Sequence, residues 1–222
     1  MQRKRFEFLR APNIALFGEP LMKTVNRNIV LLALVVVGLV VTGAGVASAQ
    51  DVYKVNYFDT NVVSPVIPDA TVRIDNPGLT YGNLCAMIYV FAADQQLAEC
   101  CGCAETHNGL RRLSVRTDLT SNPLTGVRPT SGVIKVISAA VNNSPCDPTS
   151  NVTPRANLRV WVTHIQSGIP LGTFGGTVWP VTETESSDST LGATELANLQ
   201  AQCSFISILG SGAGLCSCGT GD

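Results

Sequence analysis

The chain lacks the short signatures that mark the common hydrolases. It has no Gly-x-Ser-x-Gly elbow to expose a nucleophilic serine and no His-Glu-x-x-His to hold a catalytic zinc. Its only two histidines, His107 and His164, stand 57 positions apart. His164 continues the inward face of Leu158, Val160 and Val162, so it reads as a strand-end histidine at the rim of a core and not as a general base. The run Gly210-Ser211-Gly212-Ala213-Gly214 is followed by no lysine and has no strand–loop–helix context, so it reads as a flexible connector and not a phosphate loop. On these grounds no catalytic, cofactor-binding or metal-binding residue is assigned, and no cofactor is expected.

Basic charge is scarce as well. Of the fifteen Lys and Arg, six (Arg3, Lys4, Arg5, Arg10, Lys23, Arg27) fall in the first 49 residues, against two of the sixteen Asp and Glu (Glu7, Glu19). Residues 50–222 therefore carry nine basic and fourteen acidic groups, a net charge of about −5 with His neutral. A surface that reads nucleic acid needs an excess of positive charge over the phosphates, so nucleic acid is excluded as an expected partner.

What the first 49 residues do contain is the layout of an export signal. Lys23 and Arg27 precede an apolar run over 29–41, and small residues follow, ending in Ala47-Ser48-Ala49. Cleavage is expected between Ala49 and Gln50. Met22 is an alternative start, because Met22-Lys23-Thr24-Val25-Asn26-Arg27 opens a conventional signal. The competing reading is an uncleaved anchor: 29–49 carries no charge over 21 residues, enough to cross a bilayer as a helix. The Ala-x-Ala site and the dilution of the run by Thr42, Gly43, Gly45 and Ser48 favour cleavage. The expected organisation is a signal peptide over 1–49 and a single domain over 50–222. The expected address is secreted, periplasmic or cell-envelope, with an inner-membrane protein anchored by 29–49 as the alternative. A membrane enters only through that segment.

No cysteine lies in the leader; all eight (Cys85, Cys100, Cys101, Cys103, Cys146, Cys203, Cys216, Cys218) follow the cleavage site. An even number outside a reducing compartment reads as a disulfide framework whose connectivity sequence does not fix. At least one bridge is expected between the 100–103 cluster and the tail, because Cys101-Gly102-Cys103 and Cys216-Ser217-Cys218 share a spacing that turns both cysteines of each pair to one side of an extended chain. The competing reading, a metal site of Cys100, Cys101, Cys103 and His107, lacks the usual Cys-x-x-Cys spacing. The same absence, at a helix start, argues against a redox centre.

Period-two alternation dominates 50–222 and predicts strands with one buried face. Val72 and Ile74 alternate with Arg73 and Asp75. Leu113, Val115 and Leu119 lie among Arg112, Ser114, Arg116 and Asp118, and Leu158, Val160 and Val162 alternate with Arg159, Trp161 and Thr163. Residues 84–91, apolar on both faces, predict a central strand. Further strands are expected over 52–58, 97–103, 133–138 and 176–184, with breakers at Pro65, Pro68, Asn76-Pro77-Gly78, Asn108-Gly109, Asn122-Pro123, 145–154 and 168–170. About eight short strands so spaced predict a mainly β, immunoglobulin-like β-sandwich, disulfide-stapled, with one C-terminal helix. That helix is expected over 193–208, where Leu196, Leu199, Cys203 and Ile206 share a face, Gly192 caps the start and Gly210 ends it. The acidic run 182–188 reads as a solvated loop and lacks the Asp-x-Asp-x-Asp-Gly frame of a calcium loop.

The stretch 83–91, with Leu84-Cys85-Ala86-Met87-Ile88-Tyr89-Val90-Phe91, and then Glu99-Cys100-Cys101-Gly102-Cys103, resembles a group of uncharacterised exported cysteine-rich bacterial proteins. The resemblance extends to Asn108-Gly109-Leu110-Arg111, to Leu119-Thr120-Ser121-Asn122-Pro123-Leu124-Thr125-Gly126 and to Cys216-Ser217-Cys218. It implies export and no chemistry. Two classes of function stay open: a non-catalytic envelope or secreted module presenting loops such as 142–154 to an envelope protein or a glycan, and a secreted enzyme whose site is assembled from dispersed residues.

Overall fold

The computed structural model describes residues 52–60, 69–79, 81–141, 145–150, 152–172 and 175–219, all within the unit 48–222. The leader with its cleavage site, Pro65, Pro68 and positions 142–144 of the expected presenting loop lie outside these residues.

Residues 84–91 are apolar throughout, and the strand they form, β3 (Leu84–Ala92), is buried on both faces along most of its length. Such a strand needs a neighbour at each edge and a layer over each face. Its neighbours are β4 (Leu97–Glu105) and β6 (Ser131–Ala140), and the sheet continues from β6 to β1 (Tyr53–Asp59) and β11 (Ser187–Asp188). A second sheet has the order β10 (Val181–Glu185), β7 (Arg159–Ile165), β2 (Thr71–Asp75), β5 (Leu110–Ser114). A short hairpin pairs β8 (Ile169–Pro170) with β9 (Thr177–Val178). The pairings within these sheets are all antiparallel. Eight of these eleven strands have five residues or more. The chain is thus mainly β, with one helix after the strands, α1 (Ala193–Leu209). Among the described residues no helix is long and apolar enough to cross a membrane.

Alternation along β3 sorts its side chains between two cores. Leu84, Ala86, Ile88 and Val90 join Val72 and Ile74 of β2, Leu113 of β5, Ile134 and Val136 of β6 and Val160 and Val162 of β7 in the core between the sheets. Cys85, Met87 and Tyr89 face the other way and join Ile137 and Ala139 of β6 and Leu199, Cys203 and Ile206 of α1. The helix therefore forms a third layer on the outer face of the five-stranded sheet, docked by the side chains whose 3.6-residue periodicity marked them. Glu195 in its first turn accepts hydrogen bonds from Lys135 Nζ (2.7 Å) and Tyr53 Oη (2.9 Å), which fixes the start of the helix to β6 and β1.

Five stretches differ from expectation. The strand expected over 176–184 is split at Trp179-Pro180 into β9 and β10, which lie in different sheets, and the expected break at 168–170 contains β8. The strand expected across 112–119 stops at Ser114 and gives way to one π-helical turn, Val115–Leu119. Side-chain acceptors outcompete the ladder there: Ser114 Oγ takes the N–H of Thr117, Asp118 Oδ2 that of Ser114, and Asp69 Oδ1 that of Arg116. The acidic run is no loop, because 181–185 pairs with β7 and, one residue after it, 187–188 pairs with β1, carrying the chain from one sheet to the other. The glycine-rich connector is a hydrogen-bonded turn in which Ala213 N–H donates to Gly210 and Gly214 N–H to Asn122.

Candidate binding cleft and the disulfide scaffold

All eight cysteines are paired: Cys85–Cys146, Cys100–Cys203, Cys101–Cys216 and Cys103–Cys218. The sulfurs of the competing metal set are therefore oxidised, each to a different partner. Four disulfides and no free thiol point to an oxidising, extracytoplasmic compartment.

Strand geometry explains the partition. On β4, Cys100 faces the helix layer and bonds Cys203 of α1, while Cys101 and Cys103 belong to the core between the sheets. The tail lies parallel to β4, since Cys100 N–H donates to Gly214 and Cys216 N–H to Cys100. Two Cys-x-Cys segments running parallel meet in register, so both bridges span the same 115 positions. The tail thereby covers the otherwise open edge of β4 and reaches the second sheet's side, where Ser217 N–H donates to Asp118. At the other edge of the two sheets the closure is made by β10 and β11.

Gly102 stands between the inward cysteines because a side chain there would collide with the backbone: a Cβ would lie 2.2 Å from the carbonyl oxygen of Cys146. The segment 145–150 is laid on this face by the Cys85–Cys146 bridge and by Tyr89 Oη, which donates to Pro148 O at 2.8 Å. Part of the segment expected to present a loop is thus a strap over the sheet, and the antiparallel bridge between Ala139 and Pro154 extends it.

Where the second sheet hands its edge strand to the first, a cleft of about 270 Å³ opens, lined by Lys54, Pro77, Leu79, Asn157, Arg159, Glu185 and Asp188 among others. Its charged groups come from four elements. Lys54 and Asp188 are opposite each other in the β1–β11 register and form an ion pair. The Lys54 side chain is only 5 % exposed, and the Asp188 carboxylate compensates the charge of its buried ammonium. Glu185 ends β10 and Arg159 begins β7. Among the described residues neither has an ion-pair or side-chain hydrogen-bond partner. At the lip Asn157 has φ +102°, outside the regions open to most side chains, a conformation that costs about 1–3 kcal/mol and recurs at binding sites. Pro77 and Leu79 supply an apolar wall.

Four buried groups have displaced pKa values, and none lines this cleft. Burial raises the phenols of Tyr53 and Tyr89. Burial pushes the Glu99 carboxyl up to about 7, although the Asn122 N–H and the Arg128 charge pull the other way. Burial also lowers His164. His164 is 4 % exposed, takes a 2.7 Å hydrogen bond between Nε2 and Thr184 Oγ1 and stacks on Tyr57 at 4.1 Å, which is the core-rim position its strand phase indicated. His107 sits in the turn after β4, its ring against Gly78 and its N–H donating to Asn83.

Sequence reasoning found every disulfide cysteine and none of the cleft residues. Lys54, Asn157, Arg159, Glu185 and Asp188 are ordinary surface residue types scattered over 135 positions of sequence, with no motif to link them. Glu99 did carry a signal, since it shares the inward phase of Cys101 and Cys103. Compared with protein-family models, with curated proteins and with solved structures, the chain matches none.

Proposed function

We propose that this chain is an exported, non-catalytic binding module, secreted or held in the cell envelope, whose cleft takes an uncharged polyhydroxylated ligand of the glycan class. The observation that carries the reading is the cleft's composition: donors on Lys54, Arg159 and Asn157 stand with acceptors on Glu185, Asp188 and Asn157, and the formal charges balance. Hydroxyls both donate and accept, so a neutral polyol satisfies such a mixed lining better than an anion or a cation, and the Pro77–Leu79 wall suits the C–H face of a sugar ring. The resemblance to exported cysteine-rich proteins supports the address, and the disulfides support a rigid scaffold in which little ordering remains to be done on binding.

In fold terms we read the sandwich as immunoglobulin-like. Numbered along the chain, the β2–β5 and β3–β6 pairs match the B–E and C–F pairs of that family, while β1 and β7 exchange the places of its first and last strands. The second functional reading, an enzyme, is favoured by the two carboxylates Glu185 and Asp188 in one cleft. One experiment separates the two. The purified protein is titrated with cell-envelope glycans while reducing-end release is followed. Binding without turnover that weakens about tenfold or more in Arg159→Ala and Glu185→Gln supports the module. Turnover lost in Glu185→Gln makes it a hydrolase, and binding untouched by either substitution removes the cleft from consideration.

A further inference from the structure

The helix α1 is apolar on two opposite faces. Leu199, Cys203 and Ile206 are buried against the sheet, while Ala201, Phe205, Ile208 and Leu209 form an outer stripe in which the last three are 58 %, 74 % and 61 % exposed. A helix with one face docked normally turns charge to solvent on the other, and one that is apolar all round is normally covered. Here no charged residue occurs between Leu196 and Gly221. Beside the outer stripe runs a groove of about 540 Å³ between α1 and the β3–β4 hairpin, lined by Gln95, Gln96, Leu97, Leu124, Ala201 and Phe205 among others, and its lining too is free of charge.

We propose that this surface joins two copies of the chain across a two-fold axis, with the α1 helices antiparallel and Phe205 of each copy seated in the groove of the other. Two observations select a second copy as the occupant. Projection and recess lie side by side on one face, which is the self-complementarity an isologous contact requires. Residues 50–222 are also net acidic, at about −5, so two copies repel over most of their surface and approach at least electrostatic cost where charge is absent from both. The same lack of basic residues leaves nothing to attract an anionic partner or an acidic lipid surface. The outer positions recur at i, i+4, i+7 and i+8, the ridge spacing by which antiparallel helices interlock. This inference does not rest on the ligand assigned to the cleft.

The test is the mass in solution of the full exported protein, measured by light scattering and sedimentation velocity. A dimer is expected, converted to monomer by Phe205→Glu and by Phe205→Lys, each with an unchanged circular dichroism spectrum and all cysteines still oxidised. Mixing the two variants restores the dimer as a one-to-one heterodimer, because near the axis position 205 of one copy meets position 205 of the other. A monomer over the whole soluble concentration range, a dimer indifferent to both substitutions, or a mixture that fails to re-form the dimer overturns the proposal. A monomer that co-sediments with phosphatidylcholine vesicles through Phe205 overturns it in favour of a lipid surface.

Discussion

Glu99 and Asn122 hold each other at the foot of the tail: the Asn122 N–H donates to Glu99 Oε1 at 2.7 Å, while Oε2, buried, has no partner among the described residues. The same Asn122 reaches the tail, its carbonyl accepting from Gly214 and its Nδ2 donating to Gly212 O at 2.7 Å. A carboxyl buried with one oxygen unsatisfied is easier to keep neutral than ionised, which is the physical content of its raised pKa.

Stability should therefore fall with rising pH. With a folded value near 7 against an ordinary 4.5, the contribution of Glu99 is fully present below about 4.5 and lost as pH rises to about 7, because the unfolded chain ionises first. The difference amounts to about 3 kcal/mol at pH 8. Glu99→Gln, which keeps the acceptor for Asn122, should flatten the urea midpoint between pH 5 and 8 and exceed the parent at pH 8. Parallel pH profiles in the two proteins would rule this out.

His164 acts with the opposite sign. Its imidazole is lowered from the ordinary 6.5 by burial, so the folded protein resists protonation and loses stability as pH falls through about 6.5. His164→Asn, which removes the titration, should abolish that acid-side slope whatever it does to the absolute midpoint through the lost stacking on Tyr57. In NMR titrations the His164 ring resonances should shift only below the usual histidine range; a shift centred at 6.5 or above would contradict the buried rim position.

How far such groups were legible in advance depended on whether their signal was local. An unbroken apolar run identified β3 as central, because a strand buried on both faces needs apolar residues at every position, and a 3.6-residue period gave α1's inward face residue by residue. The phase of Glu99 was equally visible. At 112–119 the period was present and misleading, since local acceptors on Ser114 and Asp118 bend the backbone together with Asp69, about fifty positions upstream. Sheet order, the strand that crosses between sheets and the cleft depend on pairings between distant segments, for which one sequence holds no period to read.

Gly102→Ala tests the strap. The added methyl would meet the Cys146 carbonyl at 2.2 Å, and the neighbour is backbone held by the Cys85–Cys146 bridge, so it cannot swing aside. A loss of about 1–3 kcal/mol in urea unfolding is expected, the usual cost of overpacking. If the substitution is neutral, the strap does not lie where it is described.

Export makes a prediction of its own. The protein recovered outside the cytoplasm should begin at Gln50 by N-terminal sequencing, with the small-residue site Ala47-Ser48-Ala49 removed. Membrane-bound protein that retains Met1 or Met22 would replace the cleaved signal by an anchor.

The two tail staples should be far less independent than their separations imply. Each spans 115 positions, for which the chain-entropy model gives about 5 kcal/mol. Yet Cys100–Cys203 already ties the end of the chain to β4. With it in place, Cys101–Cys216 closes a ring of only about sixteen residues, and Cys103–Cys218 then closes one of about six, worth roughly 3 and 2 kcal/mol on the same model. Replacing either pair by serines should therefore cost about 2 kcal/mol, because the surviving bridge closes nearly the same ring. Replacing both should cost about 5 kcal/mol and release the tail from β4. Urea unfolding of the three variants under non-reducing conditions, with limited proteolysis after Gly210, reads both quantities. Single losses near 5 kcal/mol each, adding to about 10, would show that the bridges act on separate long loops and that Cys100–Cys203 does not precede them in holding the tail.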